Sequence, residues 1–139
     1  MNIFLDANIC LNLLDSTRAT SKASIDWYIS KKDDPSLGFY FSSDFITTFY
    51  YILTERNKLD AQKVVEAIEA LSFEIEPFYL SHSDFVSAKN SFLEQTIDDF
   101  EDLMIINSAI RCGATEFITN DKKLLKLGHF GGMKIIIPQ

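Results

Sequence analysis

Cysteine is scarce in this chain. Cys10 and Cys112 are the whole complement, and neither has a close Cys or His companion. That excludes a thiolate zinc site. Two lone thiols in apolar segments read as buried free cysteines in a reducing compartment. Histidine is equally sparse: His82 and His129 stand alone in loop-like contexts, so a histidine-held metal has no partner set. No Ser-His-Asp arrangement is evident either. Cationic charge is short, with 13 Lys and Arg against 20 Asp and Glu for a net charge of −7, which argues against a broad basic surface for nucleic acid. It does not exclude an enzyme that meets nucleic acid through bound cations, because divalent ions cancel part of the charge locally. No uncharged run approaches the ~18 residues of a membrane span. Met1 to Leu14 lacks a basic start and carries Asp6, so it does not read as a signal peptide. A cytoplasmic protein with no membrane contact is expected. Repeats, low-complexity segments and linkers are also missing, and 139 residues suit a single domain over 1–139.

What is present is an alternation of short apolar runs with helical patterns. Met1 to Leu5 is too short for a helix and fits a buried strand ending at Asp6. Asp6 or Asn8 can cap the helix that follows, with Ile9, Leu13 and Leu14 at helical spacing. Ser21 to Ser30 reads as a helix with Ala23, Trp27 and Tyr28 inward, and Asp34-Pro35 and Gly38 mark a turn. Phe39 to Ser42 reads as a second strand. Asp44 to Asn57 reads as a helix with Phe45, Phe49, Ile52 and Leu53 on one face. Asp60 to Ser72 is a clearer helix, with Val64, Val65, Ile68 and Leu71 apolar. Phe73 to Leu80 suggests a third strand interrupted by Pro77. Ser81 to Leu93 is a helix with Ser81 or Ser83 as cap and Phe85, Val86 and Ala88 inside. Asp99 to Cys112 is the strongest helix, closed by Gly113. Glu116 to Thr119, Asp121 to Leu127 and Lys134 to Pro138 read as strand, short helix and last strand. Runs such as Ile3-Phe4-Leu5 and Ile135-Ile136-Ile137 are apolar on both faces, the mark of a parallel sheet covered by helices on each side.

In an open α/β sheet, ligands bind beyond the carboxyl ends of the strands. Asp6 follows the first strand; Thr119, Asn120 and Asp121 follow the fourth. Between them in sequence, Asp98-Asp99-Phe100-Glu101-Asp102 opens the strongest helix, with Asp99 and Asp102 on one face. Carboxylates converging from separate segments repel each other unless a cation neutralises them. Oxygen ligands without His or Cys select Mg²⁺ or Mn²⁺. Such ions cut phosphodiesters by activating a bound water and stabilising charge on the phosphate. Each residue also has a plainer reading. Asp6 and Asp121 suit helix caps, and Asp98, Asp99 and Glu101 complement a helix dipole. Asp102, one turn further in and followed by Leu-Met-Ile-Ile, is harder to dismiss. Phe39, Tyr40, Phe41, Phe49, Tyr50 and Tyr51 read as core before base-stacking platform. Lys122, Lys123 and Lys126 form a solvated face, or touch RNA phosphates beside the metal site.

These residues resemble a known family. Ile3-Phe4-Leu5-Asp6-Ala7-Asn8 is similar to the opening of PIN domains, a strand followed by Asp-x-Asn. Asp99-Phe100-Glu101-Asp102-Leu103, with Ala109 and Gly113 beyond, resembles their third motif. Phe117-Ile118-Thr119-Asn120-Asp121 resembles their fourth. The order and spacing agree over essentially the whole chain. The resemblance implies a three-layer α/β/α fold around a central parallel sheet of four to five strands. It implies an acidic Mg²⁺ or Mn²⁺ site and endoribonuclease activity with a metal-activated water. It also implies a toxin like those of the VapC family, often a homodimer, inhibited by an antitoxin protein. By the match, Asp6, Asp102 and Asp121 are the catalytic metal-site carboxylates, Asp99 supports them, and Asn8 and Thr119 orient them. The family's second acidic residue aligns with Thr48, which supplies no charge. That departure keeps a second expectation open: a non-catalytic module of the same fold that binds RNA or protein. A receiver-like domain fits poorly, because the first strand ends in one Asp and the Phe73 to Leu80 segment ends without any.

Overall fold

The computed structural model describes residues 1–94 and 97–139. The chain runs β1 (Asn2–Leu5), α1 (Ala7–Leu14), α2 (Ser21–Lys31), β2 (Gly38–Ser42), α3 (Phe45–Tyr51) and α4 (Ala61–Glu74). It continues through β3 (Glu76–Phe78), α5 (His82–Leu93), α6 (Phe100–Arg111), β4 (Ala114–Ile118), α7 (Lys122–Leu127), β5 (His129–Phe130) and β6 (Met133–Ile136). After Tyr51, α3 passes into one wider π-helical turn, Ile52–Arg56.

The strands form one sheet in the order β3-β2-β1-β4-β6-β5. Every pairing is parallel except the short β5–β6 hairpin, which the sequence pattern did not reveal. The chain moves outward from β1 through β2 to β3, then returns to the other side of β1 for β4 and β6. The connections reverse direction between β1 and β4, which is where an open α/β sheet leaves a crevice at its carboxyl edge. Leu5 lies opposite Phe41 on one side and Ile118 on the other, so the residues that follow β1 and β4 leave the sheet side by side. Helices α1 to α4 pack among themselves in one layer, and α5 packs on α6 in another.

The strands are buried because both faces are covered. Ile3, Phe4, Leu5, Phe41, Phe117 and Ile118 are fully buried. Phe4 stacks on Phe117 at 5.8 Å and meets Phe78 edge-on. Each such side chain stabilises by roughly 1.5–3 kcal/mol relative to exposure. Pro77 is tolerated because β3 is the edge strand, where a missing N–H need not face a neighbour. Gly113, at φ +79°, closes α6 in a left-handed turn that side chains avoid.

Several expectations about packing are corrected. Phe73 and Glu74 belong to α4, not to a strand, and Phe73 is largely exposed. In α2 it is Ser21 and Ser24, not Ala23, that turn inward beside Trp27 and Tyr28. Their hydroxyls serve a buried polar cluster. Ser21 donates to the Asn12 carbonyl at 2.6 Å and Asn12 Nδ2 donates to Ser24 at 2.8 Å. Val65, Phe85 and Val86 are exposed, as are Tyr50 and Tyr51, whereas Phe39, Phe41 and Phe49 are core. Hydrophobicity alone could not sort these, because a helix short of polar residues leaves apolar ones on its wet face. Cys10 is buried as expected, and Cys112 is partly exposed. Among the described residues, no helix is long and apolar enough to cross a membrane.

Candidate functional site

Asp6 is the first residue past β1. Its backbone N–H still continues the sheet by donating to the Ile118 carbonyl at 2.9 Å. Its side chain caps α1, Oδ1 accepting from Ala7 N–H at 2.8 Å. Oδ2 accepts from the Thr119 hydroxyl at 2.7 Å and from Asn8 Nδ2 at 3.1 Å. Asn8 also reaches across the crevice, its Oδ1 accepting the Asn120 N–H at 3.0 Å. The buried Thr119 therefore stands between two acidic residues: it donates to Asp6 and accepts the Asp121 N–H at 2.9 Å. Asn8 and Thr119 lock the carboxyl ends of β1 and β4 together and aim Asp6.

Asp121 caps α7 through Oδ1, which accepts from Lys123 N–H at 2.8 Å and Leu124 N–H at 3.3 Å. Asp99 caps α6, accepting the Asp102 N–H at 3.2 Å. The capping roles foreseen for Asp6 and Asp121 are thus real, Asp99, read as complementing the helix dipole, is a cap as well, and the same residues also converge on one edge. A cap needs one carboxylate oxygen, and an ionised carboxylate has about four acceptor positions. Capping therefore leaves each of them able to take a further ligand. Asp102 is different. It sits in the first turn of α6, half-buried, and its carboxylate accepts no hydrogen bond from the described residues.

The electrostatics follow from this crowding. Burial pushes the Asp102 carboxyl up to about 7, and Asp99, Asp6, Asp121 and Glu101 add to the effect. Asp6 is also raised by burial, with Asp121 adding repulsion, while the bonds from Thr119, Ala7 and Asn8 favour its charged form. Asp102 thus feels the carboxylates of three separate segments at once. A cleft of about 760 Å³ opens here, lined by Asp98, Asp99 and Asp102 at the start of α6 and by Asp121, Lys122, Lys123 and Lys126 at and along α7. The donor set is all oxygen and strongly anionic, the chemistry that suits Mg²⁺ or Mn²⁺. Among the described residues, however, no three Asp, Glu, His or Cys side chains stand close enough to hold an ion as they are placed. The chemistry of the donors fits such a cation, while their spacing requires the side chains to draw in.

Thr48 lies on α3, which begins just past β2 at the same edge of the sheet. It is exposed, as are Asp44 one turn earlier and Glu55 in the π-helical turn. No acidic residue of α3 enters the cleft lining. One feature had no signal in the sequence. Asn120 Nδ2 is buried without an acceptor, the one such side-chain atom among the described residues. A buried unpaired donor costs roughly 1–3 kcal/mol.

A parallel sheet with its acidic residues gathered at the switch point defines a class of α/β domains built around an anionic edge. Within that class, a family model described as the PIN domain matches residues 3–129, and the chain belongs to the PIN domain family. Its fold is similar to several solved structures. One is VapC20 of Mycobacterium tuberculosis, described as a sarcin–ricin loop cleaving toxin. It aligns with a TM-score of 0.71 at 16% identity, over 95% of this chain and 98% of that one. Another is VapBC2 of Rickettsia felis bound to a DNA fragment from their promoter, with a TM-score of 0.68, 17% identity and 97% of each chain covered. A third is VapBC-1 of nontypeable Haemophilus influenzae, with a TM-score of 0.68, 19% identity, and 97% and 96% coverage. No curated protein matches the sequence.

Proposed function

We propose that this PIN domain is a Mg²⁺- or Mn²⁺-dependent endoribonuclease and the toxin of a toxin–antitoxin pair. The observation that carries this reading is Asp102: a half-buried carboxylate with no hydrogen-bond donor among the described residues, pushed up to about 7 by its burial and by Asp99, Asp6, Asp121 and Glu101 around it. A position of that kind is costly unless a cation occupies its front. Asp6, Asp102 and Asp121 would hold the ion, with Asp99 fixing the start of α6. A bound divalent ion supplies an acidified water and charge neutralisation at the phosphate. The chain's own residues do the rest. Thr119 and Asn8 aim Asp6 and favour its charged form against burial, and the caps by Asp99 and Asp121 set where α6 and α7 begin. Net charge −7 is compatible with RNA binding only if cations and the α7 lysines offset it locally.

An antitoxin partner is supported by the neighbours described as VapBC complexes, and cytoplasmic placement fits an RNA target. A homodimer or partner surface is supported by the exposed Tyr50 and Tyr51 on α3. The test is cleavage of structured and unstructured RNAs by the purified protein with Mn²⁺, Mg²⁺ or EDTA, beside Asp102→Asn. Metal-dependent cuts lost in the variant are expected. Cuts that persist in EDTA, or at full rate in the variant, would sink the assignment.

Thr48 favours a second reading, a non-catalytic PIN module that binds RNA or protein. Its hydroxyl is exposed at the position where the family carries an acid, and no acceptor on α3 reaches the cleft. This reading expects no cleavage at any Mn²⁺ concentration, and discrete Mn²⁺-dependent cuts would refute it.

A further inference from the structure

On a molecule with 20 acidic and 13 basic residues, one short helix breaks the local rules of charge placement. Helix α7 carries Lys122 and Lys123 in its first turn and no acid there. Cations at a helix N-terminus oppose the dipole, an unfavourable placement of a few tenths of a kcal/mol or more each. Lys126 lies four residues after Lys122 and three after Lys123, so it neighbours both and is repelled by both. None of them forms an ion pair among the described residues. Among the described residues the ion pairs are Lys22–Asp26 and Arg111–Asp84, although four carboxylates line the same cleft as these lysines. All three lysines are exposed along the cleft wall. A segment that departs from local preference without a compensating partner inside the protein marks a functional surface.

We infer that the Lys122, Lys123 and Lys126 face of α7 binds the backbone phosphates that flank the cleaved phosphodiester of a single-stranded RNA. This rests on the nuclease reading, and it assigns the two cleft walls different work. The α6 side carries carboxylates and repels the strand. The α7 side attracts it, so the backbone lies along α7 and the phosphate to be cut passes in front of Asp121, the residue that caps that helix. Lysine acts as a point charge here, which suits phosphate contact without base selection. Specificity for one RNA must then come from elsewhere.

The experiment compares wild type with the single Lys→Gln variants and the K122Q/K123Q/K126Q triple, with Lys63→Gln on α4 as a control that does not line the cleft. Glutamine keeps helix propensity and removes repulsion, so the triple variant should melt no lower than wild type. Steady-state cleavage of a single-stranded RNA should show KM rising about tenfold in the triple variant with kcat nearly unchanged. The plot of log(kcat/KM) against log salt should flatten by roughly 0.7 per lysine removed. Anisotropy of the same labelled RNA, measured in the Asp102→Asn background with Mg²⁺, should show the matching loss of affinity. That arm separates the two ideas. If wild type cuts nothing but RNA binding still depends on the three lysines, the nuclease reading fails and the phosphate face stands. An unchanged KM, affinity and salt slope in the triple variant would overturn the phosphate face, as would a fall in kcat alone, which would mean that the lysines act on the acidic edge.

Discussion

Helix α6 carries two carboxylate environments, one at each end, and they have opposite histories. At its C-terminal end Arg111 meets Asp84 of α5. Nε donates to Oδ1 and Nη2 to Oδ2, both at 2.9 Å. Asp84 is buried, yet it stays below the usual carboxylate range, because Arg111 and the Ser81 N–H hold its charge against burial. Arg111 is itself seated 4.4 Å above the Phe78 ring. At the N-terminal end Asp102 is the more exposed residue, yet burial of its carboxyl, with repulsion from Asp99, Asp6, Asp121 and Glu101 added, pushes it up to about 7. Burial alone does not separate the two. What separates them is whether the protein supplies the counter-charge. Where it does, the acid is part of the architecture; where it does not, the acid is kept for something that arrives.

The largest effect in this comparison should come from Asp102→Asn, which should lower RNA cleavage at least about a hundredfold if the residue holds the ion. Next, Arg111→Met should leave Asp84 charged and unpaired, at a cost of roughly 3 kcal/mol in a urea titration. Cleavage per folded molecule should be nearly unaffected.

The pH dependence sharpens the contrast. Asp102 binds a proton more tightly when folded, so its contribution to stability is present at low pH and declines as pH rises from about 4 to about 7. Metal-free protein should therefore be more stable at pH 6 than at pH 8, by about 1 kcal/mol once solvent screening is allowed for. The difference should vanish in Asp102→Asn and shrink when Mn²⁺ is added. Asp84 has the opposite sign: its stabilisation is present above the unfolded value and is lost as pH falls through its depressed folded value. Acid melting should expose that loss in wild type and not in Arg111→Met. If both variants track wild type at every pH, the contrast between the two ends is wrong.

Thr119→Val should fall below these in stability, costing roughly 1–2 kcal/mol for a buried acceptor and donor left without the hydroxyl. Its larger signature should be Mn²⁺ affinity, weakened about tenfold or more as Asp6 loses its aim, read by titration calorimetry. The smallest expected change is a gain: Thr48→Glu should tighten Mn²⁺ binding a few-fold if α3 presents that position to the edge. An unchanged affinity would place Thr48 outside the reach of the site.

The strands and the edge were legible because they rest on strong patterns. Ile3-Phe4-Leu5 and Ile135-Ile136 are apolar on both faces, which few structures but a covered parallel sheet accommodate. The acids that follow the strands are then placed by topology. The capping reading of Asp6 and Asp121 and the converging one were not alternatives, since one side chain does both. Other features were not legible. The inward turn of Ser21 and Ser24 depends on Asn12, from a different helix. The pairing of Asp84 with Arg111 joins residues 27 apart in sequence, and no local spacing announces it. The exposure of Phe73, Phe85 and Val86 reflects which faces remain once neighbours are seated, which periodicity within one helix does not encode.

The bond from Thr119 to Asp6 joins residues 113 positions apart in a chain of 139. Synthesis begins at the end that carries Asp6, and β1 cannot find its β4 neighbour until the chain has been made through Ile118. The acidic edge is thus incomplete until the chain has been made through Asp121. A chain that has not yet reached β4 carries the first half of the site without the second, and whatever the joined edge does is withheld until then.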